Sequence, residues 1–192
     1  FDGISNYNDY YRDLDIAKAI ATTRFTTNGV TYTREAYTSF PDQVLVIRLT
    51  ASQKKSISFT AKYTTPYKSN VVRSISSRKE LQLSGKANDH EGIEGKVEFT
   101  ALTRIENNGG SLEATSDSTL QVKNANSVTL YVSIGTNFVN YKDVSGNALS
   151  TAQKYLKQVN KNYAKNKAAH INAYQKYFNR VSLDLGRNAQ AD

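Results

Sequence analysis

The sequence predicts a mostly β protein, an antiparallel β-sandwich followed by a C-terminal helical segment and a final strand. Between residues 21 and 134, short segments of alternating apolar and polar residues recur, with Gly- and Asn-rich breaks and no helical pattern between them. From Ser150 the apolar period changes to that of a helix. We expect one domain over 1–192, with the sandwich over 1–147, helices over 148–178 and a returning strand over 179–186.

The first element is a hairpin whose turn is Asn28-Gly29. A two-residue loop of this composition favours a type I′ turn, in which both residues take positive φ. The turn sets the register and places Phe25 opposite Tyr32, an aromatic cross-strand pair that stabilises a sheet. Turn chemistry and side-chain pairing therefore predict the same hairpin.

The next strands follow from apolar runs and from alternation. Residues 44–49 are apolar except for Arg48, which indicates a central strand covered on both faces. Residues 57–63 alternate with period two, as expected of a half-buried strand. The other candidate strands are 71–75, 81–84, 97–105, 119–122 and 128–134.

Helical spacing begins at Ser150, which forms a predicted capping box with Gln153. Two apolar stripes follow, separated by a predicted break at 162–166. They are Ala152, Tyr155, Leu156, Val159 and Tyr163, then Ala168, Ile171, Tyr174 and Phe178. Residues 180–186, RVSLDLG, alternate again and predict the strand that returns to the sheet.

The amino-acid composition excludes several classes of functional site. The chain has no Cys, so thiolate metal sites and cysteine nucleophiles are excluded, and no apolar run approaches the ~20 residues of a membrane helix. The absence of Met leads us to expect a piece of a longer polypeptide. A net charge of +8 leaves polyanion binding open, although solvated helix faces are the favoured interpretation. The basic residues concerned are Lys142, Lys154, Lys157, Lys161, Lys165, Lys167, Lys176 and Arg180.

Few residues suggest chemistry, and only two histidines are present. Asp89, His90 and Glu91 form the best local cluster for a divalent ion or acid–base work, but a solvated loop tip is the favoured interpretation. His170 lies on a predicted helix, where packing or capping is favoured over catalysis. We predict no metal and no cofactor.

The N-terminal region offers two weaker candidates. Asp13 and Asp15 form a D-x-D pattern without the Gly and Glu of a calcium loop, so we expect an extended segment whose Leu14 and Ile16 point inward. The tyrosines of NYNDYYRDL are a candidate sugar platform, with edge packing as the favoured alternative: Tyr7, Tyr10 and Tyr11. Sequence motifs of the common nucleophilic hydrolases, nucleotide-binding loops and zinc proteases are absent.

Several segments resemble the N-terminal β-domain of glycoside hydrolase family 95. Residues 11–51, YRDLDIAKAIATTRFTTNGVTYTREAYTSFPDQVLVIRLTA, resemble the family pattern Y-R-x-L-D-L…G-V-x-Y-x-R-E-x-F-x-S-x-P-D-x-V. GTNF at 135–138 is similar to the family's A-T-x-F, and HINAYQKYFNRVSLDLG at 170–186 to its H-x-x-D-Y-x-x-L-F-x-R-V-x-L-x-L-G. Ala173 and Tyr177 depart from that last pattern.

The resemblance implies a supersandwich domain of an inverting bacterial α-L-fucosidase, secreted or periplasmic. It implies an (α/α)6 catalytic domain on the same polypeptide as partner, with fucosylated oligosaccharide as the substrate and no nucleic acid or membrane partner. The family's catalytic residues lie in that barrel, so none is carried over to this chain, and the substrate-binding residues stay unknown. Arg34 and Glu35 are expected to serve strand pairing and the helical segment. An autonomous carbohydrate-binding module is the alternative.

Overall fold

A computed structural model describes residues 6–66, 70–77, 79–184 and 186. Antiparallel strands build two sheets in that part of the chain, which confirms the predicted mostly β sandwich. The larger sheet has the order β1-β2-β3-β4-β11-β8-β7-β6, and the smaller one has the order β5-β10-β9. The strands are β1 (Asn8–Asp15), β2 (Ile20–Thr27), β3 (Val30–Ser39), β4 (Val44–Ala51), β5 (Ile57–Lys62), β6 (Val71–Ser77), β7 (Glu80–Lys86), β8 (Glu98–Asn108), β9 (Ser111–Ser116), β10 (Thr119–Ala125) and β11 (Ser127–Thr136).

The β2–β3 hairpin has the register that its turn predicts. Asn28 and Gly29 have φ values of 49° and 72°, as a type I′ turn requires. Phe25 pairs with Tyr32, and their rings stack with centroids 5.4 Å apart. Local turn chemistry therefore fixes which side chains of β2 and β3 face the core.

The core has two parts because the central strand β4 is covered on both faces. On one face, Leu49 joins a cluster between the two sheets, together with Val128 and Ile105. On the other face, Val46 and Tyr131 join a cluster beneath the helices. Period-two alternation in β4 and β11 thus feeds two separate apolar layers.

The predicted helical segment 148–178 contains α1 (Ala148–Gln158) and α2 (Tyr163–Phe178), and the break lies at 159–162 instead of the predicted 162–166. The capping-box prediction is wrong, because Asn147 caps α1 and its side-chain oxygen accepts from the Ser150 amide at 2.8 Å. Gly135 of β11 lies directly under α1, since an added Cβ would be 2.2 Å from the Ala148 oxygen. The sheet and the helix backbone are therefore in close contact at that point.

Two further expectations need correction. Leu14 and Ile16 do not point inward; they are 62% and 64% exposed near the β1–β2 turn, whose backbone oxygens accept hydrogen bonds from α2. The sequence predicted β1 only as an extended segment around Asp13 and Asp15 and did not predict β9, because neither strand has strong apolar alternation.

The predicted return of 179–186 to the sheet is also wrong for the described residues 179–184 and 186, which form no strand. Val181 and Leu183 are exposed, and Leu185 lies outside the described residues. The described residues of this segment pair with no sheet edge in the described part of the chain.

Candidate functional site

The candidate acid–base cluster is a solvated loop tip, as the favoured interpretation expected. His90 is fully exposed apart from an approach of 3.9 Å to the neighbouring Glu91, and Asp89 accepts from the Gly95 amide at 3.0 Å within the loop. The described residues contain no group of three or more His, Cys, Asp or Glu that could hold a metal ion. Asp89, His90 and Glu91 therefore form a turn, in keeping with the favoured interpretation.

The candidate tyrosines do not form a flat platform. Tyr7 and Tyr10 lie 5.7 Å apart with their planes at 51°, and Tyr7 packs edge-on against Phe25. The Arg24 guanidinium lies over the Tyr11 ring at 5.5 Å. Each ring thus has a partner in the edge strands, which fits edge packing better than a shared sugar-stacking plane.

Asp15 of the D-x-D pattern stabilises the β1–β2 turn. Its Oδ1 accepts from the amides of Ala17 and Lys18, and its Oδ2 binds the Lys18 ammonium at 2.7 Å. The hydrogen bond from Lys18 lowers the pKa of this exposed carboxyl. The turn that it shapes is the one that α2 contacts.

Helix α2 docks on the sheet through buried polar side chains. Asn166 is almost fully buried; its oxygen accepts from the Tyr37 hydroxyl at 2.7 Å, and its amide donates to Asp42 Oδ2 at 2.9 Å. Asp42 also accepts from the Ser39 hydroxyl. One amide therefore connects α2 to β3 and to the β3–β4 turn, as a buried polar group requires.

His170 is buried one helical turn further along α2. Its Nε2 lies 3.0 Å from the Lys18 oxygen and 3.2 Å from the Ala19 oxygen, so the ring binds the β1–β2 turn. The imidazole also stacks on Tyr37 with centroids 4.5 Å apart. Both contacts are structural, as expected for His170 from the sequence.

Glu35 binds the start of α2, as predicted for the helical segment. Its carboxylate accepts from the Tyr163 hydroxyl at 2.7 Å and pairs with the Lys167 ammonium. Burial opposes ionisation of Glu35, but the hydrogen bonds from Lys167 and Tyr163 outweigh it and lower the pKa of the carboxyl. Burial, together with the hydrogen bond to Glu35, raises the pKa of Tyr163 well above its ordinary range.

The contacts of Arg48 explain why the central strand β4 contains one charged residue. Its guanidinium donates to Thr129 at 2.6 Å and to Ser127 at 2.8 Å on β11, and the Tyr163 ring lies over it at 5.1 Å. Arg48 lies on the helix-covered face of β4, where these partners satisfy its donors.

Asn137 sets the path of the loop 137–147 between β11 and α1. This buried side chain accepts from the Glu98 amide at 2.8 Å and donates to the Lys96 oxygen at 3.1 Å. The following Phe138 and Tyr141 are left exposed. The asparagine of the GTNF motif therefore has a structural role, which is to hydrogen-bond the backbone at Lys96 and Glu98.

Two grooves flank the exposed Phe40 in the β3–β4 turn. The first, of about 460 Å³, is lined by residues that include Leu45, Ile134 and Tyr155. The second, of about 410 Å³, is lined by residues that include His170 and Tyr177. Neither groove is lined by an Asp, Glu, Lys or Arg side chain.

Two other grooves hold one carboxylate each. Glu98 lines one groove near the start of α1. Glu80 lines the other, where it binds the Arg104 guanidinium at 2.7 Å, and Arg104 in turn donates to the Leu156 oxygen at the end of α1. Glu80 and Arg104 thus support the C-terminal end of α1. The groove that Glu80 lines also includes Lys157 and Lys161 from the basic stretch.

The basic helical stretch is partly neutralised. Lys161 approaches Glu106 at 3.5 Å, and Lys167 pairs with Glu35. Within the described residues, no helix is long and apolar enough to cross a membrane.

The fold and these contacts define a β-sandwich domain with two C-terminal helices packed on its larger sheet, and the comparisons identify its family. Residues 1–141 match the family model described as "Glycosyl hydrolase family 65, N-terminal domain", so the chain belongs to that family. The match covers all eleven strands named above and ends before α1.

Two relatives extend the similarity over the helices. The chain is 28% identical to "Alpha-L-fucosidase 2" of Arabidopsis thaliana, over 92% of this chain and 23% of that protein. It is 24% identical to "Probable alpha-fucosidase A" of Aspergillus oryzae (strain ATCC 42149 / RIB 40), over 96% of this chain and 26% of that protein. The chain thus spans about a quarter of the length of these relatives.

A solved structure confirms the fold. A putative kojibiose phosphorylase from the human microbiome superposes with a TM-score of 0.58 over 90% of this chain and 25% of that chain. The sequence identity is 14%, so this likeness concerns the fold alone. The chain is an N-terminal domain of glycoside hydrolase-like enzymes.

Proposed function

We propose that this chain is the non-catalytic N-terminal β-domain of an α-L-fucosidase of glycoside hydrolase family 95. In this proposal it supports an (α/α)6 catalytic domain on the same polypeptide, which removes fucose from fucosylated glycans by inversion. The names of the two relatives support the fucosidase class, and their greater length leaves room for a catalytic domain.

The observation that carries the non-catalytic role is the distribution of carboxylates. Glycoside hydrolases ordinarily use two carboxyl groups, roughly 5–10 Å apart, on either side of the scissile bond. None of the four grooves described above is lined by two carboxylates. Three carboxylates are more buried, and each binds a side chain of the same domain: Glu35 binds Lys167, Asp42 accepts from Asn166, and Glu80 binds Arg104.

The test uses the longer polypeptide and 2′-fucosyllactose as substrate. We expect fucose release, and we expect Glu35→Gln, Asp42→Asn, Glu80→Gln and Glu98→Gln each to keep kcat within about tenfold, because loss of a general acid or base costs about 10²–10⁴-fold. A loss of about 10³-fold at one of these positions, with the fold intact by circular dichroism, contradicts the non-catalytic role.

The proposal places the parent polypeptide outside the bacterial cytoplasm, secreted or periplasmic. The two relatives come from a plant and a fungus, so the bacterial origin rests on the sequence resemblance. Cell fractionation followed by a fucose-release assay tests the location, and activity confined to the cytoplasmic fraction would contradict it.

A further inference from the structure

Large exposed apolar side chains gather at one end of the larger sheet. The β1–β2 and β3–β4 turns, the loop 137–147 and the C-terminus of α2 form this region, called the apolar end below. The charged β7–β8 loop 87–97 lies at the same end of the sheet, on the side of β8. The exposed apolar residues of the apolar end include Ile16, Phe40, Ile134, Phe138, Tyr141 and Tyr177. The opposite end holds the polar turns 28–29, 52–56 and 109–110, in which no described residue is a large hydrophobic, and the exposed Tyr7 before β1.

The two uncharged grooves lie at the centre of the apolar end. Phe40 is 69% exposed and forms the ridge between them. Charged residues make up 22% of the chain, so two adjacent grooves without one are a marked local departure. An apolar surface of this kind is typical of a site for protein contact.

The grooves also continue the core. Leu45 pairs with Val132 across β4 and β11, on the same face as Ile47 and Leu130, which pack against the cluster between the sheets. Leu45 and Val132 are partly exposed, and the next residue on that face, Ile134, is exposed. The apolar layer therefore extends beyond what covers it in the described residues.

The chemistry of the grooves favours a polypeptide over a sugar. Sugar recognition needs convergent polar groups, but several polar groups of the grooves already have partners within the chain. His170 binds two carbonyls, the Tyr174 hydroxyl donates to the Ile16 oxygen at 2.8 Å, and the Gln43 amide donates to the Phe40 oxygen at 2.7 Å. What remains for a ligand is mainly apolar surface.

We propose that the apolar end is the docking surface for the part of the same polypeptide that follows α2, with Phe40 inserted into that partner. This inference rests on the proposed multidomain parent. Helix α2 ends at this surface, because Tyr174 and Gln175 bind the β1–β2 turn, so the chain leaves α2 beside the grooves. The relatives, about four times as long, contain the chain length for such a partner.

The test measures thiol labelling in the longer polypeptide, because this chain has no cysteine. Phe40→Cys reports the apolar end, and Lys54→Cys is the control in the exposed polar turn 52–56. Labelling rates of each variant are divided by the rate in denaturant, with the unsubstituted polypeptide as background. We expect Phe40→Cys to react at least about tenfold more slowly than Lys54→Cys, because labelling requires the domains to open.

Four results would overturn the inference. Fast labelling of both Phe40→Cys and Lys54→Cys would mean that no partner covers the apolar end. Slow labelling of both variants would mean that protection is not specific to the grooves. Protection of Phe40→Cys that disappears on dilution indicates a second copy as the partner. Fast labelling that slows only with added 2′-fucosyllactose indicates a sugar site. Fucose release is measured on the same samples. If fucose is released while Phe40→Cys is labelled fast, the docking proposal is rejected and the fucosidase function stands. If Phe40→Cys is protected but no fucose is released, the fucosidase function is rejected and the docking proposal stands.

Discussion

The two helices cover the same face of the sheet by different means. Helix α1 buries Ala148, Ala152 and Leu156, all apolar, against the cluster beneath the helices. Helix α2 buries Asn166 and His170, both polar, and both are hydrogen-bonded to the strands or turns below. Apolar burial is not directional, whereas hydrogen bonds fix position. We infer that α1 completes the core and that α2 sets where the chain leaves the domain.

The largest expected effect is on the apolar helix. Leu156→Ala removes a side chain that is 1% exposed, and we expect a loss of about 3 kcal/mol in the free energy of unfolding. Urea unfolding measures the loss. Leu149→Ala on the same helix is the matched control, since Leu149 is 37% exposed, and an equal loss there would contradict the assignment of the buried face.

The two histidines provide the next test, on the polar helix. His170→Ala leaves the Lys18 and Ala19 oxygens without their partner, and we expect a loss of about 2 kcal/mol. His90→Ala changes an exposed loop and should leave the urea midpoint unchanged. Equal midpoints for the two variants would show that His170 does not hold the β1–β2 turn.

Acid should weaken α2 docking through Glu35. Its folded-state pKa is lowered from an ordinary value of 4.5, so its stabilising contribution is present above about pH 4.5 and is lost as the pH falls through the folded pKa. Thermal unfolding between pH 7 and 3 should show a smaller decrease in Tm for Glu35→Gln than for the unsubstituted chain. Parallel curves would mean that the contact with Lys167 and Tyr163 does not depend on charge.

The smallest effect separates two lysines of the basic stretch. The Lys161 side chain is 67% exposed beside Glu106, so Lys161→Ala should change the free energy of unfolding by about 0.5 kcal/mol or less. The Lys167 side chain is 28% exposed beside Glu35, and Lys167→Ala should cost more. Urea midpoints compare the two, and a larger loss at Lys161 would reverse the ranking by burial.

The sequence predicts best where local chemistry decides the structure. Asn28-Gly29 admits one tight turn, so the hairpin and the register of Phe25 with Tyr32 follow directly. The helix bounds over 148–178 and the double coverage of β4 also follow from apolar period. These features need no knowledge of distant contacts.

The missed features depend on partners far along the chain. Apolar periodicity placed Ala168 in the stripe of α2, yet Ala168 is exposed while Asn166 and His170 are buried. Their partners lie 129 and 152 residues away, beyond any local pattern. The docking grooves have the same origin, since the β3–β4 turn, β11 and both helices meet only in the fold.

The most direct test of the central claim, that this chain supplies structure and not catalysis, is a titration of the 192-residue chain with 2′-fucosyllactose, read for binding heat and for released fucose. Circular dichroism with a cooperative thermal transition establishes that the chain is folded in the same sample. We predict neither heat nor fucose. Binding without release would favour a carbohydrate-binding module, and released fucose would show a catalytic site within these residues and contradict the account.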